Sequence, residues 1–263
     1  MLMNTELRLE RVARLLGEDA VARLQGATVA VFGLGGVGSY CAEALARSGV
    51  GTLRLVDHDW VTPQTLNRQA QALISTLAQS KVSALSQRLL SVGPGLVVEA
   101  RETFFSEETA ERLLEAPLAM VVDAIDSLGP KVALLRHCRD QRLPVLAVLG
   151  AGGRLDPTRI RVAPLGETHG DRLGMWTRKR LRRTGSLEGV MAVFSEEPAR
   201  PEVPGRWSCT TTDLHRGRQR RIQPSAMMVP AAMGMAAAAF VVQTLARARD
   251  SEGPLPRAHG RHS

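Results

Sequence analysis

One stretch restricts this chain more than any other: Ala27-Thr-Val-Ala-Val-Phe-Gly-Leu-Gly-Gly-Val-Gly-Ser39. The apolar, β-branched run at its start reads as a buried parallel strand. It ends in Gly33-Leu-Gly-Gly-Val-Gly38, a G-x-G-x-x-G turn, and Tyr40–Ser48 then reads as a helix closed by Gly49. Strand, glycine turn and helix in this order form the context of a dinucleotide-binding fingerprint. Glycines let the main chain turn tightly and let a phosphate approach backbone N–H groups. The helix N-terminus adds about half a positive charge. The stretch therefore points to a phosphate-bearing ligand without naming the nucleotide. A glycine-rich turn that binds nothing is the competing reading.

The rest of the chain supplies the alternation of strands and helices that a mostly parallel, Rossmann-like α/β sheet requires. Leu7–Gln25 reads as helical with a possible break at Gly17. Thr52–Asp57 is a second strand, Ser80–Leu90 a helix, Leu96–Ala100 a strand and Ser106–Leu114 a helix. Leu118–Asp126 is a buried strand carrying two acids at its C-terminal end. Lys131–Arg142 is a helix, Pro144–Leu149 a strand, and Ile160–Val162 a closing strand. With 263 residues the chain is long enough for one large domain. Residues 7–162 form its nucleotide-binding part, 163–250 basic loops and a C-terminal helix, and 251–263 a disordered tail.

Thr177–Ile222 carries eleven Lys/Arg against five Asp/Glu and reads as long loops with little core, densest in charge at Arg216–Arg221. The formal net charge of +8 suggests a polyanionic partner, nucleic acid first, although a solvated basic face gives the same excess. Ile222–Ala246 has no charged residue, but Pro224, Pro230, Gly234 and a long Ala run make it weakly hydrophobic. It reads as a helix buried against the sheet rather than a membrane span. Met1–Leu24 lacks the unbroken apolar segment of a secretory signal. Cys41, Cys138 and Cys209 are far apart and form no metal-ligand spacing, which suits a reduced, cytoplasmic protein.

In open α/β sheets ligands lie beyond the carboxyl ends of the strands. Asp57, 24 positions after Gly33, stands where a carboxylate accepts hydrogen bonds from a ribose, and Asp59 follows it. Asn67 and Arg68 lie in a polar loop, Lys81 opens a helix whose dipole it opposes, and Asp123 and Asp126 end a strand. Hydride transfer has no use for this set. Cations that hold a phosphate chain and a carboxylate able to hold magnesium suit nucleotidyl transfer to a carboxylate, with pyrophosphate leaving. Taken singly, Lys81 is more often a solvated helix residue and Asp126 a helix cap.

Gly33–Gly38, Leu55–Asp59, Asn67-Arg68-Gln69, Ser80-Lys81-Val82 and Asp123–Ser127 occur in the order and spacing of the ubiquitin-activating-like adenylating superfamily, which the chain resembles over about 7–162. Within it, Asp123–Lys131, Gly150–Thr158 and Val193–Glu196 are similar to the tRNA threonylcarbamoyladenosine dehydratases. The CxxC pairs common in sulfur-carrier activators are absent. An adenylyltransferase acting on the C-terminus of a ubiquitin-like sulfur carrier is the alternative reading, and a noncatalytic nucleotide-binding module or an NAD enzyme a third.

The resemblance implies ATP and Mg2+ as cofactors and tRNA, not DNA or a membrane, as partner. It implies that Gly33, Gly35, Gly36 and Gly38 hold phosphates, that Asp57 and Asp59 with Asn67 bind the nucleotide, and that Arg68 and Lys81 hold the triphosphate and its developing charge. Asp126 would hold the metal. Arg11 matches an arginine that enters the site from the second subunit of a homodimer. Some relatives suggest a cysteine desulfurase or sulfur-acceptor system as a further partner. Two departures stand out: Thr65 occupies a position that is usually Asn, and Glu197–Pro224 aligns poorly.

Overall fold

The computed structural model describes residues 5–203 and 223–247. A seven-stranded sheet runs through it in the order β3-β2-β1-β4-β5-β7-β6. These strands are β1 (Thr28–Phe32), β2 (Thr52–Asp57), β3 (Val97–Glu102), β4 (Met120–Asp123), β5 (Val145–Val148), β6 (Ile160–Pro164) and β7 (Val190–Ser195). All neighbours pair in parallel except the edge strand β6, which is antiparallel to β7. Chain order reverses direction across the sheet between β1 and β4, and the crevice beyond their carboxyl ends is where an open α/β sheet places a ligand.

The helices are α1 (Thr5–Leu16), α2 (Glu18–Gln25), α3 (Gly38–Arg47), α4 (Lys81–Leu90), α5 (Glu107–Leu113), α6 (Leu128–Asp140), α7 (Arg172–Arg182) and α8 (Met228–Ala246). Residues of β1 alternate between two cores. Val29 and Val31 face the core shared with α2, α3, α4 and α8. Ala30 and Phe32 face the one shared with α5, α6 and α7. Few aromatics are needed because Leu, Val and Ala fill both layers; the T-shaped Phe32–Phe105 pair, 5.4 Å between centroids, is an exception.

The expected α/β sheet is present, with informative differences. Gly17, at φ +90°, breaks the N-terminal helical segment into α1 and α2. The helix after the glycine turn begins at Gly38, two residues earlier than its sequence pattern indicates, because Gly38 already packs inside the turn. The strand expected to reach Asp126 stops at Asp123, and Ala124–Ser127 form a loop into α6.

The largest correction concerns 177–222, expected to be loops with little core. Its first part holds most of α7 and all of β7, with Leu181, Val190, Ala192, Val193 and Phe194 buried. A six-residue strand inside a charge-rich segment is hidden from composition, yet β7 sits between β5 and β6. Arg216–Arg221, Cys209 and the 251–263 tail lie outside the described residues. The apolar C-terminal segment is helical, as expected. By length and composition α8 could cross a membrane, but it buries Val229, Met233, Gly234, Ala237, Ala238 and Val241 against the protein, packing chiefly on α3.

Candidate active site

The glycine turn is shaped by close backbone contact. Gly33 has φ +86°, and a Cβ there would lie 2.8 Å from the Ala124 carbonyl oxygen. A Cβ on Gly38 would lie 1.8 Å from the Gly33 oxygen, so the turn closes only because both lack side chains. Gly36 is hemmed in by Arg68 and by Pro230 of α8, whereas a Cβ on Gly35 would meet nothing within 4 Å. Gly35 is thus the open part of the cradle.

Side chains tie this turn to the rest of the strand edge. Asp57 ends β2, is buried, and accepts from the Leu34 N–H at 2.6 Å and the Asp59 N–H at 2.8 Å. Each carboxylate oxygen keeps a second acceptor site for a ligand hydroxyl. Ser39 and Gln71, which sequence reasoning passed over, complete the scaffold. The Ser39 hydroxyl donates to the Gly35 carbonyl at 2.7 Å and accepts from the Ala70 N–H at 3.1 Å. Gln71 Nε2 donates to the Leu34 carbonyl at 2.8 Å. Their only sequence signal is polarity beside the motif; pairing with backbone is invisible until the chain folds.

Ser80 caps α4 by accepting from the Ser83 N–H, which places Lys81 in the first turn. Lys81 is buried, with Nζ 2.7 Å from Asp59 and 4.0 Å from Asp57. Burial lowers its affinity for a proton, but Asp57, Asp59 and Asp126 outweigh that effect and hold its pKa above the ordinary lysine value. A cation at a helix N-terminus is tolerable here because two acids face it. Arg68 is half-buried; burial pulls its pKa below the ordinary arginine value, and Asp126 opposes the pull. Its guanidinium donates to the Gln64 carbonyl and to Asn67 Oδ1.

Asn67 also donates to the Ser225 carbonyl just before α8, so it joins the 65–72 loop to that helix. Thr65, where the related superfamily usually has Asn, is buried and spends its hydroxyl locally. It accepts from the Thr62 N–H and donates to the Thr62 carbonyl, closing a short 3-10 turn. Asp126 is exposed and senses both Arg68 and Lys81.

Asp123 and Arg11 do not join this group of side chains. Asp123 reaches the same edge of the sheet but is fully buried, with Lys131 Nζ 2.7 Å from its Oδ2. That approach is close but off the hydrogen-bonding angle, so it is an ion pair; the ammonium donates instead to the carbonyls of Asp123 and Val148. Arg11 is exposed on α1. Neighbouring Arg8 donates to the carbonyl of Ala46 near the end of α3, which places α1 at the opposite edge of the sheet from the glycine turn. Within one chain Arg11 does not join the site.

Among the described residues, Asp57, His58 and Asp59 bring three ligand-capable atoms within 4.8 Å of one another. Lys81 Nζ already lies against both carboxylates of that group. The exposed Asp126 carboxylate better suits magnesium, which keeps several waters and takes one or two carboxylates beside phosphate oxygens. Cys41 and Cys138 are buried; burial pushes the Cys41 pKa up to about 12 and raises that of Cys138 as well. Neither is a nucleophile.

An open glycine turn with Asp57, Lys81, Arg68 and Asp126 gathered at the same carboxyl edge of the sheet is the layout of a nucleotide site in an open α/β fold. The chain belongs to the ThiF family, which matches residues 8–259. It is 41% identical over 182 residues to the tRNA threonylcarbamoyladenosine dehydratase of Bacillus subtilis, covering 69% of this chain and 72% of that protein. The crystal structure of the E. coli tRNA N6-threonylcarbamoyladenosine dehydratase TcdA in complex with ATP superposes with a TM-score of 0.81 at 32% identity. That match covers 93% of this chain and 97% of the other. Similarity to the molybdopterin-synthase adenylyltransferase of Salmonella typhimurium is weaker, 30% over 152 residues, covering 57% of this chain and 60% of that protein.

Proposed function

We propose that this chain is an ATP-dependent tRNA threonylcarbamoyladenosine dehydratase. The observation that carries the reading is the convergence of Lys81, Arg68 and Asp126 on an open glycine turn, in a chain so similar to enzymes of that name. The carboxylate of the threonylcarbamoyl group attacks the α-phosphorus of ATP, pyrophosphate leaves, and an acyl-adenylate forms. An atom of the same side chain then attacks the acyl carbon, AMP leaves and a ring closes, with net loss of water. Carboxylate oxygen is a poor leaving group and AMP a good one. Because closure is intramolecular, proximity supplies much of the rate.

In this reading the N–H groups of the Gly33–Gly38 turn and the α3 N-terminus receive phosphates. Asp57 binds the ribose, beside Asp59 and Asn67. Arg68 and Lys81 hold the triphosphate and the charge that develops on it. Asp126 holds Mg2+, which supplies charge neutralisation on the phosphates. Arg11 reaches the site of a second copy in a homodimer, consistent with its exposure far from its own glycine turn. The reaction belongs in the cytoplasm, and a cysteine desulfurase or sulfur acceptor is a further partner by the same kinship. The alternative, activation of a ubiquitin-like sulfur carrier, draws only on the more distant relatives.

The test is ATP–pyrophosphate exchange. Exchange should depend on tRNA bearing N6-threonylcarbamoyladenosine, and Lys81→Ala or Asp126→Ala should lower it by about 100-fold or more, as loss of a transition-state charge contact does. Exchange that ignores tRNA and requires a protein C-terminus refutes the reading. So does an unchanged content of the cyclic nucleoside in tRNA from cells lacking the protein.

A further inference from the structure

Helix α7 carries a basic and aromatic stripe that the nucleotide site does not use. Asp171 caps it by accepting from the Gly174 N–H, and the same carboxylate accepts from the Gly150 N–H just beyond β5. The start of α7 is therefore fixed at the sheet edge that carries the glycine turn. Two strand spacings separate β5 from β1, about 10 Å. From there α7 runs beside α6 to its far end, where Arg139 donates to the Thr184 carbonyl. Eleven residues make a helix about 16 Å long.

Its sequence, Arg172-Leu-Gly-Met-Trp-Thr-Arg-Lys-Arg-Leu-Arg182, has no acid. Arg172, Trp176, Lys179 and Arg183 are exposed and fall at i, i+4, i+7 and i+11, one stripe of the helix. Leu181 and Thr177 face inward, and Arg178 is turned onto Thr168. Lys179 Nζ lies 4.9 Å from the Trp176 ring centroid, which steadies the indole on one face. Solubility would be served by mixed charge, and a protein interface core is usually depleted of Lys. Like charges around a held indole suit a phosphodiester backbone with an unstacked base.

We propose that α7 is the RNA-docking helix: Arg172, Lys179 and Arg183 follow the phosphates flanking the modified nucleotide, and Trp176 stacks on an unpaired base of the same loop. This rests on the tRNA reading above and adds which surface holds the tRNA and how.

The experiment uses the full chain with tRNA carrying N6-threonylcarbamoyladenosine. It compares wild type, the charge reversal Arg172→Glu/Lys179→Glu/Arg183→Glu, Trp176→Ala, Trp176→Phe, and Arg112→Glu on α5 as a charge control. Each phosphate contact contributes about 0.7–0.9 to the slope of log affinity against log salt. The triple variant should lose about two units of slope and raise the KM for tRNA at least tenfold, with ATP affinity by calorimetry unchanged. Trp176→Ala should raise KM for tRNA severalfold and Trp176→Phe restore most of it, while Arg112→Glu matches wild type. A triple variant with wild-type tRNA KM and salt slope overturns the proposal, and so does one that loses only its association with a cysteine desulfurase. A wild-type protein that neither binds nor cyclises this tRNA overturns the functional reading itself, a different result from failure of the α7 variants alone.

Discussion

Replacing Lys131 by Met tests how the acid-bearing loop of the site is held. Both partners of the Lys131–Asp123 pair are inaccessible to solvent, 2.7 Å apart. Removing one partner of such a pair costs about 3–5 kcal/mol, because the other charge stays buried without compensation. Against a total stability of about 5–15 kcal/mol, that is a large fraction. With a urea m-value of about 2–3 kcal/mol per M, the midpoint should fall by about 1–2.5 M. Burial already raises the Asp123 pKa above its ordinary value, although Lys131 opposes the rise; without Lys131 it rises further. A carboxyl whose folded pKa exceeds its unfolded value binds more protons in the native state, so its contribution to stability falls as pH rises. The Lys131→Met defect should therefore be smallest in acid, near the unfolded carboxyl pKa, and grow as pH climbs through the raised native one. Asp123→Asn/Lys131→Met should recover at least about 1 kcal/mol of the loss, since an uncharged pair leaves no stranded charge. Activity should fall more than stability predicts, because Asp123 Oδ1 accepts from the Ile125 N–H and so sets the loop that carries Asp126. Urea titrations at several pH values decide it. A single variant within about 1 kcal/mol of wild type, or a double variant no better than the single, refutes the reasoning.

Gly35→Ala meets nothing within 4 Å and should leave the melting temperature unchanged while raising the KM for ATP, whereas Gly38→Ala, with a Cβ 1.8 Å from a carbonyl oxygen, should lose stability and ATP binding together; thermal melts and ATP titrations separate the two. Asp59→Asn removes the 2.7 Å partner of Lys81 and should lower the Lys81 pKa. A raised lysine pKa contributes stability that is complete below the unfolded value and is lost only as pH rises through the folded one. Wild type should therefore show no Lys81-linked loss of stability between pH 7 and 9, and the variant should lose exchange activity at lower alkaline pH than wild type. Cys41 and Cys138, buried with raised pKa values, should resist alkylation at pH 7 until denaturant is added, as peptide mapping can show.

The nucleotide-binding half of the fold was legible because its signals are local. A β-branched run before a glycine turn can become little else, and the strands at Thr52–Asp57 and Val145–Val148 follow the same logic of buried apolar runs. The strand Val190–Ser195 was not legible: five of its six residues are buried, but the chain around it is so basic that composition averaged the strand away. For the candidate site, residue type and place between the elements pointed to Asp57, Lys81, Arg68 and Asp126, which the fold brings to one edge of the sheet. They did not separate Asp126 from Asp123, because burial and Lys131, a turn and a helix onset away, decide which acid stays exposed. Nor could spacing show that Thr65 closes a 3-10 turn or that Ser39 and Gln71 brace the glycine loop, since those bonds go to backbone atoms.

The charges at the site are already paired before any nucleotide is considered. Lys81 lies against Asp59 and Asp57, and Arg68 faces Asp126 while donating to Asn67. A buried lysine left without an acid would tend to lose its proton, and it would then offer a phosphate no charge. The acids keep Lys81 cationic, so in the function proposed above the arrival of a triphosphate would exchange one anionic partner for another rather than create a new buried charge. The exchange also leaves carboxylates close to phosphates, a repulsion that a divalent cation at Asp126 would relieve. In the proposed function the acids beside the glycine turn would thus do two jobs: Asp57 and Asp59 hold the lysine ready, and Asp126 would make the anionic ligand tolerable once it has come.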